Sequence, residues 1–440
     1  MRGDSLGDLF LDYLRVASIG AKMPWSEWAR TYVDSLGRQG DAPVLFEAAG
    51  CDPVRSAFLN TTYAGSIDAD DTHVGSMLHP GSIVFSAALA IGSKVGATGS
   101  EFIAAVAAGY EAMIRIGLSI QPTHFHRGFQ STATCGGFGA AVAASRLLFS
   151  RDSAMDQRIA EAIGMVASFS GGLTQFYQSG STVKRIHAAR ASESGVAAAL
   201  LVGSGFSGPT DILEGSNGFA RAYADGFVPD TITHGLGDEF LLDGVTVKGH
   251  ACSARLQAAV EGVVALCREH EVDVDAIEDI YVGIPAVILG RLTIPRPIDV
   301  QAAQMSLPHT VALAAVLARS ADDGFALTVK NYADSLNDPA VKAVERRVRC
   351  EVDPVVENAT TAESVPARIV LSLTSGATFS TFVAASKGSP SQPFTRADHV
   401  ARFQRELERR WPSQRRDEIV ALSRDFTALK DIRALIKNLV

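Results

Sequence analysis

Residues 65–82, GSIDADDTHVGSMLHPGS, gather three carboxylates (Asp68, Asp70, Asp71), the hydroxyl of Thr72 and two imidazoles (His73, His79), with no lysine or arginine among them. These are the materials of general acid–base chemistry. An imidazole titrates near neutrality without heavy perturbation, and a nearby acid can orient it. His79 is the candidate proton-transfer group, and Asp68 could orient it or a water molecule. Asp68 and Thr72 stand four apart, so one helical turn would put both on the same side. The competing reading is architectural: Asp and Thr also cap the helix that follows them.

Two lysines could supply positive charge to a bound anion. Lys184 and Lys248 stand in otherwise uncharged surroundings, residues 181–183 and 245–247. Lysine is mostly exposed, but a buried one must be paired, and a di- or tricarboxylate would be a suitable counter-charge. The bulk composition argues against a polyanionic partner. A net charge of −8 leaves no electrostatic footprint for nucleic acid. The five cysteines are scattered and never in C-x-x-C spacing, which argues for reduced thiols and against a zinc or iron–sulfur site. The apolar run 83–91 ends at Gly92-Ser93-Lys94, so no membrane span is expected, and the N-terminus has acids where a signal peptide would be basic. A cytoplasmic protein is expected.

The elements that must position these groups change character along the chain. At 440 residues two domains are the natural expectation. From about 9 to 242, apolar residues recur every three or four positions, as in 102–116 and 140–149, and alanine-rich faces such as AAVAAS would let helices approach closely. Glycines in this region lack the strand-then-glycine context of a phosphate-binding loop. From about 244 the pattern alternates: residues 277–289, 368–375 and 377–385 read as strands, with a turn at Gly376. GSPSQPF then punctuates a return to helix over 395–440. The expectation is an α plus α+β protein, with a large, discontinuous all-helical domain (1–243 and 390–440) and a smaller α+β lid (244–389). Ligand pockets favour such domain boundaries, and the site is expected there.

The motif D-x-D-D-T-H followed by H-P-G-S resembles the signature of the MmgE/PrpD family. Further stretches follow in order: 89–117, 126–148, VKRIHAARASESGVAAALL, GPTDILEGSNGF, QMSLPHTVALA and GSPSQP. The family includes 2-methylcitrate dehydratases, cis-aconitate decarboxylases and iminodisuccinate epimerases. The resemblance implies a cofactor-independent enzyme, a homodimer with no metal, that abstracts a proton beside a carboxylate of a small di- or tricarboxylate. Loss of water is the first expectation. Epimerisation and decarboxylation are alternatives, and a non-catalytic binding homologue is a further one. His79 falls on the family's catalytic HP motif, Asp68 and Thr72 match pocket-lining positions, and Lys184 keeps a histidine, His187, three positions on. Lys248 opens KGHACS where relatives read K-x-Y-P-x-C. Relatives usually carry about one more helix at the start. His73 is taken as a loop residue, and Asp71 as a cap or an arginine partner. Two departures bear on mechanism. Gln130 replaces a histidine in R-G-F-H and can hydrogen-bond but not transfer a proton. His309 stands where relatives usually have tyrosine and becomes a second proton-transfer candidate. Arg127 is a possible carboxylate clamp, whereas Arg115 reads better as part of an internal ion pair.

Overall fold

Small residues decide how the helices meet in the computed structural model, which describes residues 3–320 and 324–440. The helix Ser131–Leu148 is buried along nearly its whole length, and the helices Pro80–Val95, Gly99–Ile120 and Lys184–Gly203 all pack against it. A Cβ on Gly195 would lie 2.6 Å from the Gly137 carbonyl oxygen and collide with the Ala140 methyl. Gly109 and Gly139 approach each other in the same way, each backbone carbonyl 2.8 Å from where the other's Cβ would stand. Close packing of this kind forgoes large side chains but gains dense van der Waals contact between backbones.

The chain divides into two compact units. The first contains 1–174, 183–245 and 395–440. It is helical, and its aromatic core ties the chain ends together: Phe10 stacks edge-on against Phe426 at 5.4 Å, and Arg396 bonds Asp8 at 2.7 Å. The N-terminal reading rests partly on Met1 and Arg2, which lie outside the described residues. Against the expectation that no segment reaches a membrane span, Gly99–Ile120 is long and apolar enough by length and composition. It is instead a core helix, mostly buried, and it carries the Arg115–Glu111 ion pair at 2.9 Å.

The second unit contains 175–182 and 246–394. Its four strands run in the order Val348–Val352, Ile277–Ile284, Ala367–Leu373, Thr378–Val383. The first pair is parallel, with Ile280 opposite Val348, and the other two pairs are antiparallel. The expected strand 277–289 stops at Ile284 because Pro285 has no N–H to extend the ladder. Gly376 makes the hairpin turn at φ 86°, a conformation glycine adopts without a Cβ penalty. Strand Val348–Val352, absent from the sequence reading, has three of its five residues charged or cysteine, so no apolar alternation announces it. The helix Gln257–Glu269 covers one face of the sheet, with Gly262 set against Ile369. Among the described residues the fold is thus helix-rich, with a small mixed four-stranded sheet and a two-stranded one.

If the small-residue contact controls helix approach, Gly195→Val should lower unfolding free energy by about 1–3 kcal/mol, the usual cost of overpacking, in urea titration. A midpoint equal to wild type would contradict this account.

Candidate active site

Residues 66–79 leave the helix Pro53–Gly65, turn through Asp68 and end at His79, which directly precedes the helix Pro80–Val95. Asp68 adopts φ 57°, so no helical turn joins it to Thr72, and Thr72–His73 is extended. The expected i, i+4 pairing is therefore replaced by a loop that folds back on itself: His73 N–H donates to the Leu78 carbonyl at 2.9 Å. Aspartate tolerates the left-handed region better than most residues. His73 is buried, held by Ser76 at 2.8 Å, and burial pushes its pKa down to about 4, so it stays neutral.

His79 is the half-buried centre of the cluster. Its Nδ1 lies 2.9 Å from Thr72 Oγ1, 3.2 Å from the Asp71 carbonyl oxygen and 3.6 Å from Asp70 Oδ1. The Thr72 hydroxyl donates to the Asp70 carbonyl at 3.4 Å, which leaves its oxygen to accept. These three oxygens can all accept, so they favour a proton on Nδ1 and leave Nε2 as the basic nitrogen. Thr132 Oγ1 accepts the His79 backbone N–H at 3.1 Å and fixes where the ring begins. Thr132, in the buried helix Ser131–Leu148, was not singled out from sequence; an ordinary threonine in an apolar helix carries no signal.

Beside the imidazole, Lys184 Nζ donates to Asp68 Oδ2 at 2.6 Å, with both side chains largely buried. Lys184 opens the helix Lys184–Gly203, and His187 follows it on the next turn. Burial, together with the Lys184 charge, pushes His187 down to about 4. Donor atoms of Asp68, Asp70 and His79 fall within 4.8 Å of one another, a spacing a metal ion could use. The ammonium on Asp68 already supplies positive charge there, which disfavours a second cation.

Asp71 performs the capping role. Its Oδ1 accepts the Gly81 N–H at 2.8 Å and its Oδ2 accepts the Tyr110 hydroxyl at 2.7 Å. A Cβ at Gly81 would sit 2.7 Å from both carboxylate oxygens, which explains the glycine in H-P-G-S. Burial pushes the Asp71 carboxyl up to about 7, against the lowering effect of the Tyr110 and Gly81 hydrogen bonds. Tyr110 was missed because a single tyrosine in AAVAAGY looks like core.

The other expected residues have definite places. Gln130 caps the helix Ser131–Leu148 with its Oε1, which accepts the Ala133 N–H at 2.7 Å. Arg127, the possible carboxylate clamp, is exposed and paired with Asp225 at 3.3 Å. Arg115 is spent internally, on Glu111 and on the carbonyls of Ile232, His234 and Glu239. Lys248 belongs to the second unit and is fully buried. His309, also there, is buried at the start of the helix Leu307–Leu317, with Nδ1 3.3 Å from Glu345 Oε2 and Nε2 2.8 Å from Ser335 Oγ. The first unit thus brings together His79, Thr72, Asp70, Asp68 and Lys184.

Such a fold and cluster define a class: a helix-rich protein that holds an oriented imidazole beside a buried carboxylate–ammonium pair. The MmgE/PrpD N-terminal domain matches residues 4–231 and the MmgE/PrpD C-terminal domain residues 250–425, so the chain belongs to the MmgE/PrpD family. It is 26% identical over 361 residues to cis-aconitate decarboxylase of Aspergillus terreus, covering 77% of this chain and 72% of that protein. It is 24% identical over 397 residues to the human protein of the same name, covering 87% and 78%. With a cis-aconitate decarboxylase-like protein of Aspergillus oryzae it shares 28% identity over 278 residues, 60% of this chain and 56% of the relative, so it spans little more than half of that protein.

Two outcomes test this geometry. Lys184→Met removes the ammonium from the buried Asp68 carboxylate and should cost about 3 kcal/mol of stability; adding Asp68→Asn, which suits a positive φ, should restore most of it in a double-mutant cycle. Asp71 has a folded pKa above its unfolded value, so the stability it contributes is full below about pH 4 and lost as pH rises through about 7. Asp71→Asn should therefore remove a loss on the order of a few kcal/mol between those limits, read from denaturation midpoints across pH.

Proposed function

We propose that this chain is a lyase that transfers a proton next to a carboxylate of a small di- or tricarboxylate, with His79 as the proton carrier. The observation that carries the reading is the set of acceptors around His79 Nδ1, which supports a fixed ring orientation with Nε2 as the reacting nitrogen. Asp70, 3.6 Å away, supports the imidazolium form when Nε2 is also protonated. Lys184, beside it on Asp68, is the cation nearest to hand for a substrate carboxylate.

The sequence alone put loss of water first. The names of the relatives favour loss of CO2, and cis-aconitate is therefore the first substrate to try. In that reaction the bond between the carbon skeleton and one carboxylate carbon breaks and CO2 departs. The electron pair stays on the skeleton, delocalised toward a remaining carboxylate, and the His79 imidazolium gives up its Nε2 proton to the carbon. Water then returns a proton to the ring. Lys184 offsets the negative charge on the substrate while the pair is delocalised. An epimerase would need two proton carriers, and the second imidazole of the sequence reading, His309, has both ring nitrogens engaged within its own unit.

Incubation of the full chain with cis-aconitate should release CO2, and His79→Gln should lower kcat by about 10²–10⁴, the range general acid–base groups supply. The arms of the assay separate the alternatives. A rise in conjugated-alkene absorbance from a 2-methylcitrate-like hydroxy acid would mean dehydration instead. Deuterium entering recovered substrate in D2O, with no product, would mean epimerisation. Full activity in His79→Gln would sink the assignment.

A further inference from the structure

Within the second unit, a cavity of about 760 Å³ opens between the loop carrying Pro295-Arg296-Pro297 and the helix Pro339–Glu345. That volume is in the range of small-molecule sites. Arg296, Lys342 and Arg346 stand around it, Ile298 and Leu336 give it apolar wall, and the buried His309–Glu345 pair also lines it.

The way Arg296 is held marks the loop as built for a task. Arg296 adopts φ 57° between two prolines, a backbone state that a residue with a Cβ adopts only under constraint. The constraint is visible. Its N–H donates to Glu345 Oε1 at 2.6 Å, while Glu345 Oε2 is 3.3 Å from His309 Nδ1, and His309 Nε2 is 2.8 Å from Ser335 Oγ. Upstream, Ser306 Oγ donates to the Ile294 carbonyl at 2.7 Å, and the Leu307 N–H to the Leu292 carbonyl at 2.6 Å. Three bonds thus pin the loop to the start of one helix and the end of another. Burial works to raise the Glu345 carboxyl, but the His309 and Arg296 hydrogen bonds outweigh it and hold it below its usual range. The carboxylate is ionised, yet both oxygens are spent on these donors.

The cations are left with the opposite balance. Among the described residues no side-chain hydrogen bond or ion pair holds Arg296 or Arg346, and Lys342 has only the neutral Asn337 Oδ1 at 3.2 Å. Three positive groups therefore face a recess whose one carboxylate is satisfied from within. Guanidinium groups pair best with planar or tetrahedral oxyanions, through forked hydrogen bonds. We propose that this cavity is a binding site for a small molecule with a carboxylate or phosphate head on a short apolar body, clamped by Arg296 and Arg346. It is lined by residues of the second unit alone and does not depend on the His79 reading.

The test is calorimetric titration of the full chain with inorganic phosphate, phenyl phosphate and succinate. Glycine suits φ 57° better than arginine, so Arg296→Gly removes the side chain without costing the loop its conformation, and its melting midpoint should not fall. Arg296→Gly and Arg346→Ala should each weaken binding at least about tenfold, the worth of one charge-assisted contact. Phosphate against succinate identifies the head group, and a gain with phenyl phosphate over inorganic phosphate reports the apolar wall. Binding should survive Lys184→Met. Binding lost in Lys184→Met but untouched in both arginine variants would overturn the proposal, as would wild-type protein that binds none of the three probes.

Discussion

Lys184 and Asp68 face each other at 2.6 Å with little water around either, and the surrounding loop is arranged on the terms this pair sets. Withdrawing one such charge alone would cost several kcal/mol, so each group requires the other. The requirement joins a helix start at residue 184 to a loop more than a hundred residues earlier, and it holds Asp68 in a left-handed backbone conformation. With that loop fixed, the next residues have few places to go. Asp71 turns inward to cap Gly81, Thr72 turns toward His79, and the imidazole ends up among acceptors that decide which nitrogen is basic.

Rigid placement of the loop depends on helices that come close without bulky side chains between them. The helix Ser131–Leu148 serves as the centre post, and its small residues let three neighbours press onto it. From this post Thr132 reaches the backbone of His79, and Gln130 closes the helix end with its own side chain. The capping duty changes the meaning of Gln130: its oxygen is oriented by Ala133, and its NH2 can still donate to a ligand. Tyr110, from the neighbouring helix, pairs with a carboxyl that burial keeps near neutrality in pKa. The buried polar groups around His79 are thus satisfied mainly by one another, as groups withdrawn from water must be.

The second unit solves a different problem with the same means. Its sheet is small, a helix covers one face, and one set of buried polar groups is tied into a chain running from Ser335 through His309 and Glu345 to the Arg296 backbone. A tyrosine at 309 could not donate from a ring nitrogen to Glu345. The histidine here is therefore coupled to the geometry of the Pro-Arg-Pro loop.

Much of this was legible in the chain itself. Local order reads directly: apolar residues at helical spacing, alternation at the strands 277–284, 367–373 and 378–383, and glycine at the hairpin turn all act through neighbours in sequence. The density of acids and imidazoles over 65–82, and the uncharged surroundings of Lys184, were likewise visible, because burying such groups is expensive enough to leave a trace in composition. What no periodicity could supply is pairing across long separations. That Lys184 meets Asp68, that Thr132 and Tyr110 serve the His79 loop, that Arg127 goes to a surface partner and that His309 turns to Glu345 were decided by packing. The physical reason is that a side chain's local sequence sets its chemistry and its element, whereas its partner is whichever opposite group the folded helices bring within about 3 Å, the reach of a hydrogen bond.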